Sequence, residues 1–194
     1  MELLTFLNSS PSVLDEVSAQ KLANAWQTKH VPKEGCVISQ GAKTSTEVIV
    51  LDGYLSSTIS DPDGRSVCVG FYAGPKVVTP NVARTRDGVS LVSINANTDS
   101  LIAQMETIKL TELMLASEPI REWANGILQR ELADKAEREW CLSALGGADR
   151  LAWFRKTHPQ HEELFSHVLI ASFLGVTPVT LSRLRNLETD KTKS

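Results

Sequence analysis

Apolar positions change their period twice along the chain and mark out three regions. In residues 1–30, Leu3, Leu4, Phe6 and Leu7, then Leu22, Ala23 and Trp26, recur at helical spacing and predict helix. From Val31 to Met105 the chain turns to short runs rich in Val, Ile, Ser and Thr, among them "EVIVL", "YLSSTIS" and "SVCVGFY". Turn signals at Asp52-Gly53 and at "DPDGR", Asp61–Arg65, separate these runs and predict antiparallel strands joined by hairpins. Many short strands at this spacing suggest a barrel or roll. Near Asp99 the period becomes helical. Ile120, Trp123, Ala124, Ile127, Leu128 and Leu132 fall at i, i+3, i+4 and i+7 steps. Ser117 as N-cap and Pro119 in the first turn predict a helix reaching Leu142, about 24 residues or ~36 Å at 1.5 Å per residue. Gly146-Gly147-Ala148 predicts a break and a hinge, and "ADRLAWFRKTHP" one more helix.

The last pattern is the most specific. "HVLIASFLGVTPVTLSRLRN", His167–Asn186, sets a small residue, Ala171, where two crossing helices need close approach. Gly175 follows, where a tight turn needs positive φ. Thr177 and Pro178 supply an N-cap and a first helical residue. Ile170, Leu174, Val176, Leu181, Leu184 and in part Val179 form the inner face. This spacing predicts a helix-turn-helix. The outer face carries Pro178, Thr180, Ser182, Arg183, Arg185 and Asn186, residue types that meet phosphates and base edges. With Thr177 and Val179 these are the candidate DNA-binding residues.

Charge refines this picture. The net charge is −3. Residues 150–194 hold seven Lys/Arg against four acids, +3, and the other residues hold thirteen against nineteen, −6. A basic tail on an acidic body suits a C-terminal DNA-binding part. Cys36, Cys68 and Cys141 are too few and too far apart for a disulfide framework or a CxxC knuckle. No apolar run approaches the ~20 residues of a membrane span, and "MELLTFLNSSPSVLDEV" lacks the basic start of a signal peptide. The expectation is a cytoplasmic protein with no membrane partner.

A β-roll, a long helix and a helix-turn-helix, in that order, resemble the Crp/Fnr family of bacterial transcription regulators. Gly35, Gly41 and Gly53 carry the glycine rhythm of the family's cyclic-nucleotide-binding-like β-roll. "IASFLGVTPVTLSRLRN" is similar to a Bacteroidetes-like subgroup. The resemblance implies an α+β fold. It has an antiparallel β-roll (double-stranded β-helix) over 1–116, a long dimerisation helix over 117–145 and a helix-turn-helix domain over 146–194. It also implies a homodimer, double-stranded DNA with a palindromic operator, and RNA polymerase as a further partner. Arg183 matches the family's guanine-reading arginine. Pro178 and Val179 stand where the best-known members have Arg and Glu, so their operator does not carry over.

The family's phosphate-binding cassette has a Gly-Glu and an Arg-Ser/Thr. Here "GPKVVTPNVARTRDGVSLVSINA" has no Gly-Glu, and Gly88-Val89-Ser90 replaces Arg-Ser. cAMP in the usual geometry is therefore not expected. Another small-molecule or nucleotide effector, or none, stays open. An effector would lie between Val82, Arg84, Thr85, Arg86, Ser90 and Leu91 of the cassette and Trp123 and Ile127 of the long helix. Little chain is left for a β wing beside the helix-turn-helix. The rival reading is a cyclic-nucleotide-binding-like or cupin-like sensor whose C-terminal helices bind protein and never DNA. An enzyme has no support: the chain has no P-loop, GxSxG, HExxH or dinucleotide fingerprint, and neither metal nor cofactor is expected. His158 and His161 read as a solvated loop, not a zinc site.

Overall fold

The computed structural model describes residues 2–9 and 14–191, with side chains to residue 186. Two compact units result. One comprises residues 1–57 and 71–133, the other residues 58–70 and 134–194.

In the first unit, α1 (Leu3–Ser9) and α2 (Glu16–Ala23) lead in, α2 capped by Asp15, which accepts from the Ser18 amide at 2.8 Å. The strands are β1 (Gln27–Val31), β2 (Cys36–Ile38), β3 (Thr46–Asp52), β4 (Tyr54–Ser60), β5 (Ser66–Ala73), β6 (Lys76–Val77), β7 (Thr85–Arg86), β8 (Val89–Ser90), β9 (Ser93–Ala96) and β10 (Ser100–Glu106). They form sheets of order β1-β10-β3-β6 and β2-β9-β4-β5, with a β7-β8 ribbon. A one-turn helix, α3 (Asn81–Arg84), precedes that ribbon. This is the antiparallel roll the turn spacing predicts. At Gly53 an added Cβ would lie 2.4 Å from Ser100 Oγ with φ at +85°, so only glycine fits this turn.

Helices α4 (Thr107–Ala116) and α5 (Glu118–Ala144) follow the roll. Trp123 and Ile120 of α5 join Leu7, Leu22 and Trp26 of the N-terminal segment, Ile49 and Leu51 of β3, and Met105 of β10 in one buried core. The second unit holds the rest of α5 with α6 (Gly147–Thr157), α7 (His161–Leu164), α8 (His167–Phe173) and α9 (Pro178–Lys191). It also holds the tip of the β4–β5 hairpin.

Two elements depart from the sequence expectation. Residues 27–30, read as the end of a helix, belong to strand β1, and strand β10 carries the strand region to its expected end near Met105, past Asp99, where the sequence predicts the turn to a helical period. The two pair antiparallel from Gln27 with Gln104 to Val31 with Ser100. Ala103, Gln104 and Met105 are helix formers by propensity. Pairing on both edges, with β1 and with β3, overrides that preference.

Candidate nucleic-acid interface

The geometry of the second unit starts at the α8–α9 turn. Ser166 caps α8 and Ala171 is fully buried, so the helices meet at the small residue. Gly175 sits at φ +66°, and a Cβ there would lie 3.1 Å from Arg150 NH1. The Val176 amide donates to the Ala171 carbonyl at 3.0 Å and closes the turn. Thr177 caps α9: its Oγ1 accepts from the Thr180 amide at 3.1 Å. Leu181 is fully buried and Leu184 half-buried.

The other side of α9 faces water. Val179, Ser182, Arg183 and Asn186 are exposed at i, i+3, i+4 and i+7, with Thr177, Pro178 and Thr180 exposed at the helix start. Seven of the eight candidate residues thus share one accessible surface. Arg185 does not. Its Nε donates to Glu162 Oε1 at 2.8 Å and its NH1 to His167 Nδ1 at 2.7 Å, and its side chain is 28% exposed. The base or phosphate contact expected for Arg185 gives way to partners inside the unit. An i, i+4 count could have shown this, because residue 185 follows the buried Leu181 by four.

Other basic residues of the tail also work internally. Arg150 donates to three carbonyls: Leu142 at 2.8 Å and Leu145 at 2.9 Å at the end of α5, and Leu174 at 3.1 Å at the end of α8. One guanidinium thereby closes the ends of two helices, whose last carbonyls have no partner within the helix. Arg155 is paired with Glu162. Burial would raise the Glu162 carboxyl, but hydrogen bonds and charge from Arg155 and Arg185 outweigh it and hold the group below the usual carboxylate range. His158 and His161, expected in a solvated loop, pack instead into an aromatic cluster; His158 stacks on Phe154 at 5.1 Å, with Phe173 at 5.6 Å.

The hairpin tip is tied in as well. The Cys68 amide donates to Ser172 Oγ at 2.9 Å. Arg138 NH2 donates to the carbonyls of Cys68, 3.2 Å, and Phe173, 2.9 Å, while its guanidinium lies 4.4 Å from the centre of the Phe173 ring. Burial pushes the Cys68 thiol up to about 12. Among the described residues no strand lies beyond β10, so no β wing flanks α8 and α9 there.

Of the residues expected to hold an effector, those of the cassette lie together: Thr85 pairs with Ser90, and the Leu91 amide donates to the Arg84 carbonyl at 2.9 Å. Trp123 and Ile127 belong to the core with α1 and α2, because the apolar stripe of α5 is covered there. Val82 is 69% and Leu91 41% exposed. Arg86 lies exposed on the β7–β8 hairpin, whose turn is Asp87-Gly88, with both φ positive. Thr85 Oγ1 donates to Asn81 O, and Ser90 Oγ to Val92 O. Arg84 is buried. It donates to the carbonyls of Thr79, 3.1 Å, and Thr46, beside Glu47. The Glu47 carboxylate itself accepts from the Asn81 amide at 2.9 Å. Sequence reasoning missed a further polar chain. Thr79 donates to Glu131 of α5 at 2.7 Å, so Tyr72, 2.7 Å away, donates to Thr79 and in turn accepts from Ser57 at 3.2 Å.

No protein-family model and no curated protein matches the chain. Solved structures match at low identity. FixK2 from Bradyrhizobium japonicum is 16% identical with a TM-score of 0.75, over 86% of each chain. The c-di-GMP-responsive global regulator CLP of Xanthomonas campestris is 18% identical with a TM-score of 0.72, over 91% of this chain and 93% of that one. A transcriptional regulator of the Crp/Fnr family from Eubacterium rectale is 18% identical with a TM-score of 0.67, over 91% and 85%. The chain has the fold of these regulators, a β-roll followed by C-terminal helices.

Proposed function

We propose that this chain, with the Crp/Fnr fold as its frame, is a homodimeric, sequence-specific transcription regulator that reads a palindromic site in double-stranded DNA with α9. The observation that carries the reading is the exposed row Val179, Ser182, Arg183 and Asn186 on a helix whose opposite face is buried on α8. In a major groove Arg183 suits the O6 and N7 of guanine, Asn186 an adenine edge or phosphate, and Val179 a thymine methyl. Thr177, Thr180 and Ser182 suit phosphates, which fix register. Pairing through α5 would set two copies of α9 in successive major grooves, ~34 Å apart.

Support for the dimer comes from α5. Leu128, Leu132 and Trp140, 37%, 71% and 56% exposed, lie along one i, i+4 row with Ala136. Such a row on a long helix is a seam for a second copy. For the roll, the reading includes no anionic effector at Arg84, since Glu47 already balances that charge and accepts the nearby amide of Asn81.

The experiment is selection from a pool of random duplexes, with affinity followed against salt. A palindrome and a steep salt slope are expected. Arg183→Ala should then cost about 1–3 kcal/mol on the selected site and relax one base position. No enrichment, with α9 instead retaining a protein from the cell of origin, would favour an interaction module.

A further inference from the structure

His167 touches the recognition helix at two points. Its Nε2 lies 2.9 Å from the Pro178 carbonyl oxygen, and its Nδ1 lies 2.7 Å from Arg185 NH1. A guanidinium has donors only, so Nδ1 must carry the lone pair. The single N–H of the neutral ring is then on Nε2, where it donates to Pro178. Both hydrogen bonds need this one tautomer. Pro178 and Arg185 are seven residues apart, close to two turns, so the ring grips a single side of α9. Arg185 extends the grip to Glu162 of α7, which also accepts from Arg155 of α6.

We propose that His167 is a positioning residue for DNA recognition. As the neutral Nε2–H tautomer it fixes the seat of α9 on α8, and Arg185 belongs to that seat and not to the DNA-reading surface. The proposal rests on the DNA-binding reading above and adds a regulation to it. A second proton, on Nδ1, sets N–H against N–H at the Arg185 contact and places two cations side by side. Among the described residues, the charged groups around the ring are Arg185 from α9, Glu162 from α7 and, behind it, Arg155 from α6; α8 contributes no other charge. Both oxygens of Glu162 already accept from Arg155 or Arg185. A second proton therefore removes the His167 contact of Arg185, leaves its contact with Glu162, and loosens the seat of α9.

The test uses the full chain, the tightest duplex recovered from a random pool and a random duplex of equal length. Preference for the first over the second is measured at about pH 7.5 and again at the pH where NMR of the free protein shows the His167 ring doubly protonated. The ring nitrogens of His167 and the Nε–H of Arg185 are followed by NMR without DNA. The expected result is an Nε2–H ring at the upper pH. Preference should fall about tenfold on acidification, the order of one lost hydrogen bond to a charged group. His167→Asn offers Arg185 an amide oxygen near the Nδ1 position that does not titrate. Its preference should change little with pH, with an unfolding midpoint near that of the wild type. A ring proton on Nδ1 at the upper pH overturns the proposal, and so does an acid loss in His167→Asn equal to the wild type's. If the wild type selects no duplex, the DNA reading fails by itself. The proposed grip is then judged on the free protein, where an Arg185 signal unchanged across the pH range refutes it.

Discussion

Arginine in the second unit works mainly as a multi-donor brace. Arg138, Arg150 and Arg185 each reach acceptors on more than one element, a task suited to a planar group with five donors and unsuited to lysine. The +3 balance of the C-terminal segment therefore overstates the charge offered to DNA, and Arg183 gains weight as the exposed arginine of α9. Glu162 shows how these braces depend on pH. Its folded carboxyl is held below the ordinary range, so it binds its proton less readily in the native than in the unfolded chain. That stabilisation is complete above the ordinary carboxylate value and is lost as pH falls through the lower native value. Glu162→Gln should thus be less stable than the wild type at neutral pH, and the gap should close in acid. Urea unfolding of both proteins across pH checks this; a gap constant with pH would mean that the carboxylate's charge contributes nothing.

Among the elements, α5 has two audiences. Its first half closes the core through Ile120 and Trp123, and Glu131 ends the polar chain from Ser57. Glu131 is thereby held by Thr79 of the roll. The exposed row Leu128, Leu132 and Trp140 is where the proposed dimer would pair. Leu132→Asp should turn a dimer into a monomer by sedimentation while the helical circular dichroism stays; a mass unaffected by the change would move the dimer seam elsewhere. The roll, the long helix and the helix-turn-helix were legible because each has a strong period or a turn residue with one job, such as Gly53 and Gly175. β1 and β10 were not, because "QTKHV" and "SLIAQME" become strands only through each other, across about seventy residues of chain that no local window spans. The partners of Arg185 were hidden for a similar reason: Glu162 lies on α7, where the sequence suggests a loop.

For the molecule as a whole, the compact units do not part at the glycine pair that the sequence marks as a hinge. They divide inside α5, after Ala133. Arg150 explains the difference, since it binds carbonyls of α5 just before Gly146 and of α8 beyond it. An added Cβ at Gly147 would meet only ordinary contacts, the nearest Leu184 Cδ1 at 3.4 Å.

The hairpin tip at residues 58–70 gives the second unit a peculiar inheritance: it is assembled from two separate stretches of the chain. An engineer who wished to transplant the second unit to another protein could not lift it out with one cut. A fragment of residues 134–194 would leave behind the Cys68 backbone that Arg138 and Ser172 hold. Its α8 amides should exchange with solvent faster than in the whole chain. Equal protection would show that the borrowed tip is ornamental. Faster exchange would mean that this unit is portable only together with a loop taken from the barrel.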